Sequence, residues 1–429
     1  MPLPSRGTLW VAYSGGCDSH VLLHALAQCR RQIAVPLRAV HIDHGINPQS
    51  AGWAEHCRQV CNRLDIPLTI RRVDARPASD ESPEEAARRA RYQAFNALLS
   101  PGDWLCTAHH RDDQAETVLL HLMRGAGPRG LAGMRARSVL GGATLVRPLL
   151  SFDRATLVAY AHDEGLRWID DPSNEDSAFD RNFVRLKVMP LLRQRWPSAA
   201  RTLSRSAAHC READELIHHV GVQDLAEVRG DADTLVISRL VALSPARQVR
   251  VLRIWLAGLE LPMPTAAQLS HIRTDALAAA EDATPCIQWP GAQVRRYRDR
   301  LYAMPPLVAA AGLSSTVLPW DLQHPLVLPT GGSLVAEAVV GHGLSAARCR
   351  DNVLTVRFRR GGEHCRPMGG AHHRSLKNLL QEKGIPPWQR DRLPLIYIGE
   401  ALACVVGVCV SEPFAAKAGD AAYDLTLSR

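Results

Sequence analysis

The chain has 429 residues, of which 46% are hydrophobic and 22% are charged, values typical of globular proteins. At about 150 residues per domain, this length predicts two or three domains and excludes a disulfide-stabilised miniprotein. The longest apolar run near the end, residues 401–410, is too short to cross a bilayer. Because no signal-peptide pattern opens the sequence, we expect a cytoplasmic protein with no membrane partner. Eleven cysteines without a Cys-x-x-Cys pair indicate reduced thiols rather than a disulfide framework or a zinc site.

Positive charge is carried mostly by arginine and is concentrated near the end of the chain. The 51 basic residues exceed the 43 acidic ones by 8, and only four of the basic residues are lysine. Between residues 357 and 392, nine basic residues stand against three acidic ones. This segment indicates either a solvated basic face or a contact with a polyanion such as a nucleic acid.

The first 123 residues alternate predicted strands with predicted helices. Strands are predicted over 9–13, 37–42, 68–73 and 104–107, and helices over 19–29, 51–64, 83–99 and 114–123. Ser82, Pro83 and Glu85 form the pattern of a capping box at the start of the third helix. The alternation predicts an α/β domain with a parallel sheet, and places the polar motifs after strand ends, where such sheets bind ligands.

The remainder predicts a mainly helical middle domain and a small α+β C-terminal domain. Residues 151–229 are expected to be mostly helical, and helices are expected over 245–258 and about 265–280. Trp289-Pro290-Gly291 predicts a turn between short strands. Loose connections are indicated by the small residues at 309–312 and 329–332. We place the domains at 1–215, 216–310 and 353–429, with a linker at 311–352.

The most specific motif is Ser14-Gly15-Gly16-Cys17-Asp18-Ser19, between the first predicted strand and helix. Its glycines, hydroxyls and helix N-terminus are suited to holding phosphate. Asp18 would repel phosphate unless a divalent cation lay between them, so the motif predicts ATP with Mg²⁺, and Asp18 as the metal ligand. A Walker loop needs a lysine, and the first lysine of the chain is Lys187. A tight Gly-Gly turn without a ligand is the alternative.

This loop resembles the SGGxDS loop of the PP-loop ATP pyrophosphatases, which cleave ATP between the α and β phosphates and adenylate a substrate oxygen. Further motifs are similar to those of the tRNA(Ile)-lysidine synthetase family; they lie at 41–45, 85–92, 108–117, 124–134, 147–150, 171–174, 181–185 and 376–395. Two positions depart from the family pattern: Ala126 stands where serine is frequent, and Leu186 where histidine is.

The resemblance implies an adenine nucleotide alpha hydrolase-like N-terminal domain and an ATP-dependent C–N ligase. The enzyme would join free L-lysine to C2 of the wobble cytidine of a tRNA(Ile) with a CAU anticodon, releasing AMP and pyrophosphate. The lysine amine has a reference pKa of about 10.4, so a nearby group must take up its proton before attack. A homodimer is compatible with the sequence.

Candidate site residues follow from the motifs and this chemistry. Asp113 and Glu116 lie on one helical face and are assigned to the lysine ammonium and its deprotonation, with helix capping as the alternative. Asp112 would lie beside the metal or orient the loop. The catalytic set is Asp18, Asp113, Glu116 and Arg185. The ATP contacts are Ser14, Gly15, Gly16, Cys17, Asp18, Ser19, Asp43 and Arg91.

The basic C-terminal segment is assigned to the tRNA acceptor arm through Arg357, Arg359, Arg360, Lys377, Trp388 and Arg390. A core position is the alternative for the tryptophan. Two rival functions remain open: a tRNA thiolase, for which paired cysteines would be expected, and a non-catalytic tRNA-binding protein, which would not need acids beside a phosphate loop.

Overall fold

The computed structural model describes residues 4–45, 50–77, 82–280, 283–307, 312–350, 352–370 and 372–428. The chain divides into an N-terminal unit, residues 1–220, and a C-terminal unit, residues 221–429. Within the described ranges, no helix is both long and apolar enough to cross a membrane.

The N-terminal unit is built on a six-stranded sheet. Its strands are β1 (Leu9–Ala12), β2 (Leu37–Asp43), β3 (Leu68–Arg72), β4 (Trp104–Cys106), β5 (Arg137–Leu140) and β6 (Ala143–Val146). They lie in the order β3-β2-β1-β4-β6-β5, and all pairs are parallel except β5 with β6 at the edge. The predicted parallel sheet is therefore confirmed, and the carboxyl ends of β1, β2 and β4 meet at one edge.

Helices follow the strands and continue beyond the sheet. They are α1 (Cys17–Gln28), α2 (Ser50–Arg63), α3 (Pro83–Leu98), α4 (Arg111–Met123), α5 (Pro128–Leu131), α6 (Arg154–Asp163), α7 (Asp180–Phe183), α8 (Met189–Arg195) and α9 (Ala199–Val228). A π-helical turn, Val184–Val188, joins α7 to α8. The Ser82 side chain accepts the Glu85 N–H as predicted. Helix α4 begins three residues earlier than predicted because His110 caps it.

Alternation along β1 places apolar side chains on both faces of the sheet. Leu9, Val11 and Tyr13 pack with residues of α1 and α2 in one buried cluster. Trp10 points to the opposite face and packs with Phe95 of α3. Strands buried on both faces are typical of parallel sheets covered by helices.

The first part of the C-terminal unit combines helices with a small antiparallel sheet. Its elements are β7 (Leu235–Val236), α10 (Ile237–Val241), α11 (Pro245–Gly258), α12 (Ala266–His271), β8 (Cys286–Trp289), β9 (Ala292–Tyr297) and β10 (Arg300–Met304). The predicted helix at 245–258 and the predicted turn between β8 and β9 are both present. The helix predicted over 265–280 changes after His271 into a π-helical turn, Ile272–Leu277.

The second part is rich in strands. Its elements are β11 (Val317–Pro319), β12 (Leu326–Val327), β13 (Ser333–Val340), β14 (Leu344–Ser345), α13 (Ala346–Arg350), β15 (Leu354–Arg357), β16 (His364–Cys365), β17 (Arg374–Ser375), α14 (Leu376–Glu382), α15 (Pro387–Arg390), β18 (Leu395–Ile398), β19 (Ala401–Val405), β20 (Cys409–Val410) and β21 (Ala421–Ser428). The sheets have the orders β11-β15-β18-β19-β20, β12-β13-β21-β14 and β16-β17.

Residues 312–350, expected to be a linker, belong to this folded part. Strand β13 pairs with β21 along its whole length, and β11 pairs with β15. Trp320 and Leu334 are buried in the same hydrophobic cluster as residues of β15 and β18. The glycines that suggested a loose connection, Gly331 and Gly332, have positive φ and form the tight turn between β12 and β13.

This difference predicts a large stability effect at Leu334, which is fully buried in β13. Leu334→Ala should lower the free energy of unfolding of the C-terminal unit by about 2–5 kcal/mol through lost contacts and a residual cavity. Val340→Ala on the same strand, at a side chain that is mostly exposed, should change it by less than about 0.5 kcal/mol. Urea unfolding of both variants measures these changes. Equal small effects would indicate that residues 312–350 are a linker.

Candidate active site

The glycine-rich loop joins β1 to α1 and requires glycine at position 15. Gly15 has a φ of +91°, in the left-handed region that other residues rarely adopt. A Cβ there would lie 3.0 Å from Ile169 Cδ1 and 3.1 Å from Cys57 Sγ. The Ile169 N–H donates to the Gly15 carbonyl at 3.0 Å, which fixes the loop from the other side. Backbone conformation and packing therefore both select glycine.

Two serines close this loop over the start of α1. The hydroxyl oxygens of Ser14 and Ser19 lie 3.0 Å apart, and the Ser19 hydroxyl also donates to the Gly16 carbonyl at 3.0 Å. Gly16 stands at the N-cap of α1 and offers no side-chain cap. The N–H groups of the first helical turn are therefore available to an anion, together with the positive end of the helix dipole.

Asp18 lies in the first turn of α1 and carries a buried oxygen without a protein partner. Its Oδ2 is 3.4 Å from His110 Nε2. Its Oδ1 is buried and has no hydrogen-bond partner in the part of the chain that the structure describes. An unsatisfied buried carboxylate oxygen is costly, and a hard cation bound by oxygen ligands would satisfy it. Asp18 thus fits the predicted metal-ligand role.

His110 links the glycine-rich loop to α4. The N–H groups of Asp112 and Asp113 donate to its Nδ1 at 3.2 and 3.4 Å, so its ring caps the helix. The ring proton then lies on Nε2, which is 3.4 Å from Asp18 Oδ2 and 3.4 Å from Asp113 Oδ2. Burial alone would lower the pKa of His110, but the hydrogen bond to Asp18 and the neighbouring aspartates raise it. One imidazole therefore touches both acidic parts of the site.

Asp113 and Glu116 are buried on α4, and each contacts two arginines. Arg181 donates to Asp113 at 2.9 Å and to Glu116 at 3.0 Å. Arg185 donates to Asp113 at 3.2 Å and to the two Glu116 oxygens at 2.8 and 3.0 Å. We call these four residues the acid–arginine quartet. Burial tends to raise the pKa of Asp113, but His110 and Arg181 lower it to about 2, so this carboxylate is ionised at neutral pH.

The quartet arises from two helical spacings. Asp113 and Glu116 are three residues apart on α4, and Arg181 and Arg185 are four apart across the junction of α7 with its π-helical turn. Each spacing puts a pair on one face, and π-helical turns occur frequently at functional sites. The predicted catalytic set contains Arg185 but not Arg181. A search for an arginine pair with helical spacing that complements the Asp-x-x-Glu pair would have found both Arg181 and Arg185.

Two other predicted acids have local structural roles. Asp112 accepts the backbone N–H of Arg154 at 2.8 Å and pairs with Arg193, so it ties α4 to α6 and α8. This fits the predicted orienting role. Asp43 ends β2, and its Oδ1 accepts the Gly45 N–H at 2.8 Å, which closes a turn.

Arg91 and His109 lie in a group of positive charge at the same end of the sheet. Burial lowers the pKa of the Arg91 guanidinium and lowers the pKa of His109 to about 3. Three neighbouring arginines act on His109 in the same direction, namely Arg147, Arg181 and Arg91. Asp113 acts in the opposite direction, so His109 lies near one carboxylate as well as these arginines, whose guanidinium groups suit an anionic ligand. Arg147 is 7% exposed and was not among the predicted site residues.

Three buried cysteines of this unit, Cys17, Cys57 and Cys61, are poorly suited to act as nucleophiles. Burial raises the pKa of Cys17 to about 11, with Asp18 adding to the effect. Burial also raises the pKa values of Cys57 and Cys61 to about 12. The thiolate is the reactive form, so these thiols are inert at neutral pH.

The predicted tRNA contacts divide into paired and exposed cations. Arg357 forms a bidentate pair with Glu400 at 2.8 and 2.9 Å, and Arg359 lies 3.5 Å from Asp391. Arg360 is exposed and donates to a backbone carbonyl, while Lys377 is exposed on α14. Trp388 and Arg390 pack against tyrosines of β9 and β10.

Models of known protein families match the chain in the same order as its folded parts. The chain matches the family models of a PP-loop domain over residues 4–192, a TilS substrate binding domain over 235–302 and a TilS substrate C-terminal domain over 354–427. It is 44% identical to the tRNA(Ile)-lysidine synthase of Coxiella burnetii over 97% of this chain and 92% of the relative. The chain belongs to the tRNA(Ile)-lysidine synthase family.

A second relative supports this membership. The tRNA(Ile)-lysidine synthase of Methylococcus capsulatus is 43% identical over 93% of this chain and 91% of the relative. Among solved structures, the U34-tRNA thiolase NcsA from Methanococcus maripaludis matches 49% of this chain and 73% of its own, at 18% identity and a TM-score of 0.43. That similarity is too low to carry an argument. The predicted family, fold class and class of ATP-dependent tRNA-modifying ligase are confirmed.

The depressed pKa of Asp113 predicts a defined acid sensitivity. The pKa is about 2 in the folded protein against a reference of 3.8, so the ionised carboxylate stabilises the fold above about pH 4 and loses this effect as the pH falls toward 2. Asp113→Asn should therefore flatten the stability profile between pH 4 and 2. Urea unfolding at several pH values measures it. Asp163→Asn, an exposed change on α6, is the control, and an equal profile for both variants would contradict the assignment.

Proposed function

We propose that this chain joins the ε-amine of free L-lysine to C2 of the wobble cytidine in a tRNA(Ile) with a CAU anticodon, in the cytoplasm. ATP use and tRNA(Ile) modification follow from the family; the bound metal, the amino acid and the residue roles are the proposal. The observation that carries it is the position of His110, within 3.4 Å of both the loop aspartate and the acid–arginine quartet. The proposed nucleotide site and the proposed ammonium site would thus share one buried contact.

ATP would bind with its phosphates on the loop. The free N–H groups of α1 and the hydroxyls of Ser14 and Ser19 suit phosphate oxygens. Asp18 would hold Mg²⁺ with the oxygen that has no partner among the described residues, and the ion would neutralise phosphate charge when bound. Arg91 is proposed for the same site because its guanidinium is buried near Arg88 and Arg181, and an anionic ligand would offset this positive charge.

The loop would orient the α-phosphate toward the cytidine O2. Attack of that oxygen on the α-phosphorus would form an O2–Pα bond and break the bond from Pα to the α–β bridging oxygen, which leaves with pyrophosphate. The adenylated oxygen is then a good leaving group, and the lysine amine displaces AMP at C2. ATP therefore supplies activation, and the protein supplies proximity and charge placement.

The lysine ammonium would bind at Asp113 and Glu116. Because the pKa of Asp113 is about 2, this carboxylate pairs with a cation but takes up a proton poorly. Together with Glu116 it forms the proposed ammonium site, and deprotonation of the amine is assigned to this pair of acids. Arg185, which faces both acids, would orient them and offer a partner for the lysine α-carboxylate.

The tRNA would contact the C-terminal unit through its exposed cations. Lys377 and Arg360 are the proposed phosphate contacts, because both are exposed. Arg357 and Arg359 are proposed to act less directly, since nearby carboxylates neutralise them. A homodimer is a further proposal, which sedimentation would test.

The two rival functions fit the site less well. A thiolase would be expected to use reactive cysteines, whereas burial raises the pKa values of Cys17, Cys57 and Cys61. A non-catalytic tRNA-binding protein has no use for the partnerless oxygen of Asp18 or for buried acids next to it. Mass spectrometry of an unmodified tRNA(Ile) transcript, incubated with enzyme, ATP and each amino acid in turn, should detect incorporation of lysine only.

The role of Asp18 is testable by a charge-neutral substitution. Asp18→Asn should reduce ATP–pyrophosphate exchange in the presence of tRNA by at least about 100-fold, because Mg-ATP loses its protein ligand. The Kd for tRNA should remain within about threefold, since a phosphate-loop residue adds little to backbone contacts. Asp65→Asn, at a side chain 97% exposed, is the control. Parallel loss of exchange and tRNA binding would argue against the metal role.

The two kinds of C-terminal cation predict different salt dependence. Lys377→Gln should reduce the slope of log K against log salt by about one, as expected for one lost phosphate contact. Arg357→Gln should reduce it less, because Glu400 neutralises this arginine in the free protein. Filter binding of tRNA at several salt concentrations separates them. Equal slopes for Arg357→Gln and Lys377→Gln would contradict the division.

A further inference from the structure

Trp388 lies between two tyrosines of a β-hairpin. Its ring contacts Tyr302 edge to face, with centroids 5.4 Å apart and planes at 80°. It contacts Tyr297 in the same manner, at 6.2 Å and 83°. The Trp388 Nε1 is buried and has no hydrogen-bond partner among the described residues. The Trp388 side chain is half-buried, and its ring makes packed contacts within the protein.

Arginines extend this contact on both sides. Arg295 lies over the Trp388 ring, with its guanidinium carbon 5.3 Å from the centroid. Arg390 donates to the Tyr297 hydroxyl at 3.0 Å and to the Ile385 carbonyl at 2.8 Å. Arg295 and Arg390 thus use their planar faces and donors within the protein.

A third arginine also reaches from the hairpin toward the C-terminal helices. Arg298, at the tip of the β9–β10 hairpin, donates to the Gln381 carbonyl at the end of α14 at 2.7 Å. It also lies over the Tyr297 ring, at 5.3 Å. Side chains of the hairpin and of the C-terminal helices therefore both contribute to the contact. We call the set Arg295, Tyr297, Arg298, Tyr302, Trp388 and Arg390 the aromatic joint.

The joint connects two separately matched family domains. The hairpin residues lie in the segment matched by the substrate binding domain, residues 235–302, and Trp388 lies in the segment matched by the C-terminal domain, residues 354–427. Both segments belong to the same compact unit. Two linked modules bind one ligand much more tightly than either alone when their geometry permits simultaneous contact. The joint fixes the hairpin of one segment against α14 and α15 of the other.

We propose that Trp388 and Arg390 are positioning residues that hold the two substrate domains in the orientation in which both contact one tRNA. Neither residue then contacts the tRNA itself, in contrast to the role assigned to them from the sequence. The proposal rests on the proposed function only in taking tRNA as the shared ligand. The joint itself exists without it.

The first measurement uses the free full-length protein. Trp388→Ala removes the ring that packs α15 against the hairpin. Hydrogen–deuterium exchange should therefore rise in β9–β10 and in α14–α15 together. Trp388→Phe keeps an aromatic ring and should restore the slow exchange of both segments. Exchange that stays unchanged in β9–β10, or that rises across the entire C-terminal unit, would overturn the joint. Because no tRNA is present, this result is independent of the proposed function.

The second measurement is a double-mutant cycle in tRNA affinity. Trp388→Ala and Tyr302→Ala should each weaken binding about tenfold by loosening the two-domain geometry, and the double variant should be no weaker than about tenfold because both remove one joint. Trp388→Phe should stay within about threefold of the wild type. If the two losses of affinity multiplied in the double variant, Trp388 and Tyr302 would be two independent tRNA contacts. That result would overturn the proposal.

Arg390 supplies a charge-based discrimination. Arg390→Lys keeps the positive charge but loses the two-pronged donation to Tyr297 and Ile385, so affinity should fall while the salt slope stays unchanged. Lys377→Gln, an exposed cation of α14, is the comparison that should change the slope. If Arg390→Gln reduced the slope by about one, as a phosphate contact would, the positioning role would be overturned. Lysidine formation by the wild type is measured separately, so failure of the proposed function is recognised on its own.

Discussion

The site depends on the need of buried carboxylates for positive or hydrogen-bonding partners. Asp113 and Glu116 lie inside α4, where an unpaired negative charge would be strongly destabilising. Two arginines and one histidine meet that need, and in doing so they bring α7 and its π-helical turn against α4. Asp18 is the exception, because one of its oxygens has no protein partner in the described structure. A cation bound beside a polyphosphate would supply the missing partner of this oxygen.

Local patterns predicted the parts of the molecule whose structure is determined locally. The glycine-rich loop, the strand and helix beside it, and the spacing of Asp113 and Glu116 all follow from residues close together in the chain. The partners of those acids do not. Arg181 and Arg185 lie 65 to 72 residues away, and only the tertiary fold shows that their spacing matches that of the acids. The same holds for Ile169, which secures Gly15 from a distant loop.

The predicted linker and the predicted tRNA contacts show a different difficulty. Glycine pairs indicate a turn, but composition does not distinguish a turn within a sheet from a connection between domains. The pairing of β13 with β21 decides between them, and it joins residues about ninety positions apart. Likewise, tryptophan beside arginine is typical both of nucleic-acid surfaces and of packed joints. Trp388 makes contacts of the second kind, with Tyr297 and Tyr302, and its role toward tRNA stays a prediction.

The pairing of β13 with β21 also affects how the protein can be handled. The eight residues 421–428 form the inner neighbour of both β13 and β14 in their sheet. Shortening the chain by this strand would leave a long, partly apolar edge open to pairing with another molecule, which is a common route to aggregation. A purification tag at this end should therefore be joined through a spacer after Ser428, and it should not replace β21.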